Sequence, residues 1–174
     1  MRADVWIRPL AMERGVPSGE LDPALVELAV ELFGAAAVDP FYSIDLELRG
    51  RPVTLGAAAF DVIARHGSVS FPGRDSREVF AEAWQRGGAV VNEPFATRFG
   101  VVAGDTLTLE LPGGPLSWPV VGVFSDFSRS HGLVVVDRSF FRERFPGRGP
   151  LDMALFLPED ADALAARDRL LAAV

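Results

Sequence analysis

Three stretches of this chain alternate apolar and polar residues with a period of two, and each is short and bounded by glycine or proline. Ile44, Leu46 and Leu48 alternate with Asp45, Glu47 and Arg49; Leu107, Leu109 and Leu111 alternate with Thr106, Thr108 and Glu110; Met153, Leu155 and Leu157 make the third run. A period of two sends successive side chains to opposite faces, so each run predicts a strand with one buried face. Arg49-Gly50-Arg51-Pro52 turns the first run into a return strand beginning at Val53 and Leu55. Pro112-Gly113-Gly114-Pro115 reverses the second into an apolar strand from Leu116 to Phe124. Val5 and Ile7, Ala89 to Val91, and Leu133 to Val136 add shorter strands.

Helical spacing is confined to a few places. Asp22 caps a helix with Pro23 in its first turn, an apolar stripe at Leu25, Leu28, Ala29 and Leu32, and a stop at Gly34. Asp75 with Glu78 makes a capping box for a helix through about Trp84, stopped by Gly87-Gly88. Pro94 to Phe99 makes one or two turns ending at Gly100, and Asp137-Arg138-Ser139 leads into a short helix near Phe145. Pro158-Glu159-Asp160 opens a last helix with a buried stripe at Leu164, Arg167/Asp168 and Leu171. The Pro/Gly/Ser-rich stretch up to Leu21 reads as loop, and Phe60 to Gly73 shows no single period.

The order is strand, helix, strand at the front and strand, helix at the back, with a strand-rich section between. The expected fold is α+β and two-lobed. Residues 1–50 and 149–174 form a discontinuous split βαβ lobe from both chain ends, and residues 51–148 form an inserted β-rich, small barrel-like lobe.

Composition narrows what such a fold can do. At 174 residues, 49% hydrophobic and 24% charged, the chain can bury roughly 70% of its extended surface without staples. All 17 basic residues are arginine, which excludes lysine Schiff-base chemistry and a Walker A phosphate loop. The absence of cysteine excludes disulfides, thiolate nucleophiles and cysteine metal sites. The net charge of −7 is shared by both halves, so neither offers a basic stripe for nucleic acid. The longest uncharged stretch, Leu111 to Ser125, is too short and too broken by proline and glycine to be a membrane helix of about 20 residues. Met1-Arg2-Ala3-Asp4-Val5-Trp6 lacks the apolar h-region of about 7–15 residues that a secretory signal needs.

Few residues suggest catalysis. His66 and His131 lie far apart without HExxH spacing, and read as loop or surface histidines. Ser125-Asp126-Phe127-Ser128-Arg129-Ser130-His131 gathers the types of a hydrolytic triad, but no GxSxG elbow accompanies it, and turn formation is the simpler reading. Glu27 and Glu31 read as a solvated helix face, and Glu159, Asp160 and Asp162 as helix-start electrostatics. Phe140 to Phe145 reads as core in preference to a membrane or partner contact. Gly147-Arg148-Gly149-Pro150 is not a phosphate loop. No catalytic, cofactor-binding or metal-ligating residue is assigned, and the chain is expected to be non-enzymatic.

One section is more specific. Val90, Val91, Asn92, Glu93, Ala96 and Gly100 are followed by Gly104-Asp105, Leu107 and Leu109, a glycine hairpin, and Val120-Val121-Gly122-Val123. This sequence of a strand, an N-E-x-x-A helix ending in glycine, a Gly-Asp turn, a T-L-x-L strand and a V-V-G-V strand resembles the extracytoplasmic domain of ABC-transporter permeases of the FtsX-like family, which includes MacB-type and lipoprotein-releasing permeases. Asp4-Val5-Trp6-Ile7-Arg8-Pro9 is similar to the strand that follows the first membrane helix of such permeases, although Asn92 stands where serine is more usual. The resemblance is strong over residues 88 to 145.

It implies a domain on the periplasmic or extracellular side of the inner or plasma membrane, with membrane helices of the parent protein directly before Arg2 and after Val174. The implied partners are a cytoplasmic ABC ATPase, reached through those helices, and an accessory or substrate protein, lipoprotein or lipid; nucleic acid and cofactors are not implied. The competing expectations are a stand-alone soluble protein-interaction module and a hydrolase using the 125–131 loop.

Overall fold

The computed structural model describes residues 3–9, 12–13, 16–17, 19–67, 69–126 and 129–173. The first two alternating runs become strands at the positions their period requires, whereas the third ends at Leu155, short of Leu157, and is buried on both faces at Met153, Ala154 and Leu155. In chain order the elements are β1 (Val5–Ile7), β2 (Met12–Glu13), β3 (Val16–Pro17), α1 (Pro23–Phe33), a 3-10 turn (Ala35–Ala37), β4 (Val38–Leu48), β5 (Arg51–Ala58), α2 (Phe60–His66), α3 (Ser76–Arg86), β6 (Ala89–Asn92), α4 (Glu93–Phe99), β7 (Thr106–Leu111), β8 (Gly114–Phe124), β9 (Leu133–Asp137), α5 (Arg138–Arg144), β10 (Asp152–Leu155) and α6 (Ala163–Ala172).

Eight strands form one sheet in the order β1-β10-β4-β5-β9-β6-β8-β7, and β2 pairs only with β3. Strand β10 is antiparallel to both neighbours, with Val5 opposite Leu155 and Phe41 opposite Asp152. Strands β1 and β4 are therefore parallel to each other with a strand from the far end of the chain between them, and α1 makes the crossover. That is the split βαβ arrangement. The α+β class stands, and strands from the two ends and the middle join one continuous sheet.

Local chemistry explains most boundaries. The Asp22 carboxylate accepts from Ala24 N at 2.9 Å, and Asp75 from Arg77 N at 2.8 Å, so the starts of α1 and α3 are capped as the sequence predicts. The β4–β5 hairpin turns on Arg49 and Gly50 with φ of 52° and 72°, the two positive values a type I′ turn needs.

Apolar clusters then fix the layers. Helices α1 and α6 cover one face of β1, β10 and β4 through Ala29, Val38, Met153, Leu155 and Leu170. Helices α2 and α3 cover one face of the central strands through Phe60, Ile63, Val79, Phe80, Val90 and Val135. On the opposite face, α4 and α5 seal Leu55, Val91, Val134 and Leu109 with Phe95 and Phe141. Phe140 and Phe145 pack against this last cluster, as core and not as an exposed contact.

Three sequence expectations are corrected. Phe60 to Gly73 contains α2, which has no local cap; its first amides are met by side chains distant in sequence, Ala59 N by Asp39 Oδ1 at 2.6 Å and Phe60 N by Asp137 Oδ2 at 3.1 Å. The stretch before Leu21, read as loop, carries the β2–β3 pair. The last helix starts at Ala163 and not near Pro158, because Asp162 accepts from Leu164 N and Ala165 N at 2.8 and 3.3 Å. Its buried residues are Ala166 and Leu170, whereas Leu164 and Leu171 are 62% and 66% exposed. Ala166 and Leu170 take the buried face, and the expected Leu164/Leu171 stripe faces away from the core.

Candidate binding cavity

The sheet face opposite α1 and α6 is only partly roofed. Trp6, Asp39, Phe41, Asp152 and Ala154 share this face because each stands in or beside the paired positions of β1, β10 and β4. Gly56, one strand further on, extends it: a Cβ there would come within 2.6 Å of the Phe41 ring, so glycine alone lets that ring lie across β5. The uncovered part is a cavity of about 700 Å³ lined by apolar Ile63, Phe80, Val90 and Phe124, with Trp6, Arg8, Asp126 and Arg129 among its polar and aromatic members.

One acid dominates the interior. Asp39 is 1% exposed; its Oδ1 accepts from Ala59 N, and its Oδ2 is buried without a hydrogen-bond partner. Burial raises its carboxyl from the ordinary 3.8 to about 7, against the lowering pull of the Ala59 N–H and the Arg138 charge. Burial also pushes the Asp152 carboxyl up, opposed by Arg8 and Arg129. Both of those arginines rest on aromatic rings: the Arg8 guanidinium lies 5.3 Å from the Trp6 ring centre, and that of Arg129 lies 5.9 Å from Phe41.

The loop that follows β8 borders the cavity and is held from below. Buried Asn92 donates to the carbonyls of Asp126 and Arg129 at 3.0 and 3.1 Å, and its Oδ1 accepts from Phe95 N and Leu133 N at 3.1 and 2.8 Å. Arg98 donates to the carbonyls of Ser130 and His131 at 2.9 and 2.6 Å. The asparagine of the N-E-x-x-A motif thus caps α4 and fastens the loop at once.

Among the described residues of this loop, Ser125 and His131 bond different partners. Ser125 Oγ donates to Glu93 Oε1 at 2.9 Å, and His131 Nε2 bonds the Thr54 hydroxyl at 2.8 Å, which in turn donates to Asp45 Oδ1. Ser128 lies outside the described residues. His66 stacks on Phe156 with ring centres 4.5 Å apart. Glu27 and Glu31 are exposed, as a solvated face should be. Among the described residues no group of three or more metal-ligating side chains is found, and no helix is long and apolar enough to cross a membrane.

A second cavity of about 720 Å³ lies between α1 and α5, where Arg138 and Arg148 are already paired with Asp61 and Glu20. Sequence reading did not single out Asp39, Asp152, Arg8 or Trp6 as a group. The available signal was a carboxylate set inside the apolar run Val38 to Tyr42, where burial demands a partner.

No protein-family model matches the chain. Its fold is that of the periplasmic region of MacB from Actinobacillus actinomycetemcomitans, with a TM-score of 0.60 over 95% of this chain and 78% of that one at 16% identity. The extracellular domain of the noncanonic ABC-type transporter YknZ from Gram-positive bacteria shares it, with a TM-score of 0.54 over 84% of this chain and 78% of that one at 10% identity. In sequence, the chain is 26% identical over 176 residues to an uncharacterized ABC transporter permease protein of Mycobacterium tuberculosis, a match that takes in 99% of this chain and 21% of the permease. The fold is therefore one found in the periplasmic region of MacB and the extracellular domain of YknZ, and it agrees with the resemblance carried by the motifs between residues 88 and 145. The chain spans about a fifth of the curated permease it matches.

Proposed function

We propose that this chain is an extracytoplasmic domain of an ABC transporter permease of the FtsX-like, MacB-like type, and that it couples engagement of a substrate or accessory protein to ATP-driven export or release. ATP is hydrolysed on a separate cytoplasmic subunit or domain, joined to this one through membrane helices of the parent protein. The domain contributes binding and movement, as two lobes, residues 1–50 with 149–174 and residues 51–148, shifting against each other. The observation that carries this reading is that one fold, found in the external regions of two ABC transporters, accounts for 95% of the chain in one comparison and 84% in the other, while nearly the whole sequence aligns within a permease.

The test is the complete reading frame expressed with its neighbouring ATPase. The expected result is a membrane-bound protein whose 1–174 segment is cut by protease added from outside the cell or spheroplast, and which co-purifies the ATPase. A reading frame without flanking apolar helices of about 20 residues overturns the proposal.

A further inference from the structure

We propose that the cavity between β1, β4 and the α2–α3 roof is a binding site for a small amphiphilic amine, its ammonium on Asp39 Oδ2 and its apolar body along Ile63, Phe80, Val90 and Phe124. The walls supply the apolar part, and about 700 Å³ is the size of a small-molecule pocket. Asp39 supplies the head-group site: its Oδ2 is a buried acceptor with no donor, and a polar atom in that position is costly until something meets it. No donor of the protein reaches Asp39 Oδ2: Arg138 bonds Asp61 and the Val38 carbonyl, and Arg8 and Arg129 lie over the Trp6 and Phe41 rings and act on Asp152 through their charge.

Charge selects the sign of the ligand. Among the described residues, the charged groups lining the cavity beside Asp39 are Asp126 in the loop after β8, Asp152 on β10, Arg8 beyond β1 and Arg129 before β9, while Asp61 on α2 and Arg138 on α5 act on Asp39 through their charge from outside the lining. With Asp39 ionised, four carboxylates of this described set stand against three guanidiniums, so an anion brings it further from neutrality and a cation brings it closer. An ammonium gains a charge-assisted hydrogen bond in an interior where such a bond is strong. Trp6, 37% exposed, lines the cavity and adds an aromatic surface to it. This site is independent of the transporter assignment, since it rests on the cavity and its acids alone.

The experiment compares octylamine, octanol and octanoate, each below its micelle concentration, by calorimetric titration of the chain, with the indole N–H resonance of Trp6 as a second readout. The expected result is at least about tenfold tighter binding of octylamine than of either other probe, with the Trp6 resonance shifted by octylamine. Asp39→Asn keeps an oxygen for Ala59 N and removes the charge; it is expected to bring octylamine down to the affinity of octanol.

In the unmodified chain the octylamine affinity is expected to rise about threefold or more between pH 6 and pH 8, as the Asp39 carboxyl ionises, while the amine stays protonated throughout. This arm needs no variant and holds if Asp39→Asn fails to fold. Equal binding of octanol or octanoate, a preference that survives in Asp39→Asn, a pH-independent affinity, or no binding of any probe each overturns the proposal.

Discussion

Asp39 sits where two requirements of the fold meet. The start of α2 has free amides and no residue of its own to cap them, so a carboxylate from β4 is brought under it; the same placement removes that carboxylate from water. Its carboxyl stands at about 7 against an ordinary 3.8. Below the ordinary value both folded and unfolded chains hold the proton. As pH rises from about 4 to about 7 the unfolded chain releases it while the folded chain keeps it, so this residue lowers stability across that window, by on the order of 4 kcal/mol once complete, and changes nothing further above it. Asp39→Asn is therefore expected to flatten the loss of stability between pH 4.5 and pH 8, measured by urea unfolding at each pH. An unchanged slope would show that the acid is not the titrating group.

At the scale of elements, the last helix separates pattern from packing. Leucines at 164 and 171 and a leucine at 170 are equal in hydrophobicity, yet only Leu170 enters the cluster formed with Ala29 and Leu155. The reason is the start of the helix: once Asp162 takes the capping position, the rotation of every later residue is set, and the inward face falls on Ala166 and Leu170. Leu170→Ala is expected to cost about 3 kcal/mol, while Leu171→Ala stays within about 0.5 kcal/mol, both read by chemical denaturation. The reverse order would restore the Leu164/Leu171 stripe.

Helix α2 makes the same point from its first turn. Its seven residues bury Phe60, Val62 and Ile63 between the sheet and α3 and leave only Asp61, Arg65 and His66 as a polar side, too short a pattern to set a phase without a local cap.

The whole molecule is closed by its last strand. Strand β10 lies between β1 and β4, and the Asp4 side chain accepts from Leu157 N at 2.8 Å while Asp4 N donates to the Leu155 carbonyl at 3.0 Å. Without β10 the two parallel strands have no common partner and one edge of the sheet is left open. A chain ending at Pro150 is expected to lose the cooperative unfolding transition, followed by far-UV circular dichroism and by rapid proteolysis; a sharp transition in that chain would mean that the residues before it fold without β10.

The sequence by itself determined the strands with strict alternation, the capped helices α1 and α3, the hairpin at Arg49-Gly50, and the α4 to β8 motif through which the ABC-transporter likeness is visible. Each depends on interactions within a few residues: a carboxylate and the amides two or three positions on, a turn that needs two positive φ values, a side-chain period of two. Tertiary structure alone decided the start of α2, the inward face of α6 and the cavity. Their determinants are partners distant in the chain, Asp39 with Ala59, Asp137 with Phe60, Leu170 with Ala29, and no local pattern encodes a contact whose other half lies tens of residues away. The acid at 39 was legible as a charge in an apolar strand; only the packed sheet shows that one of its oxygens is buried without a partner in a residue that lines a cavity.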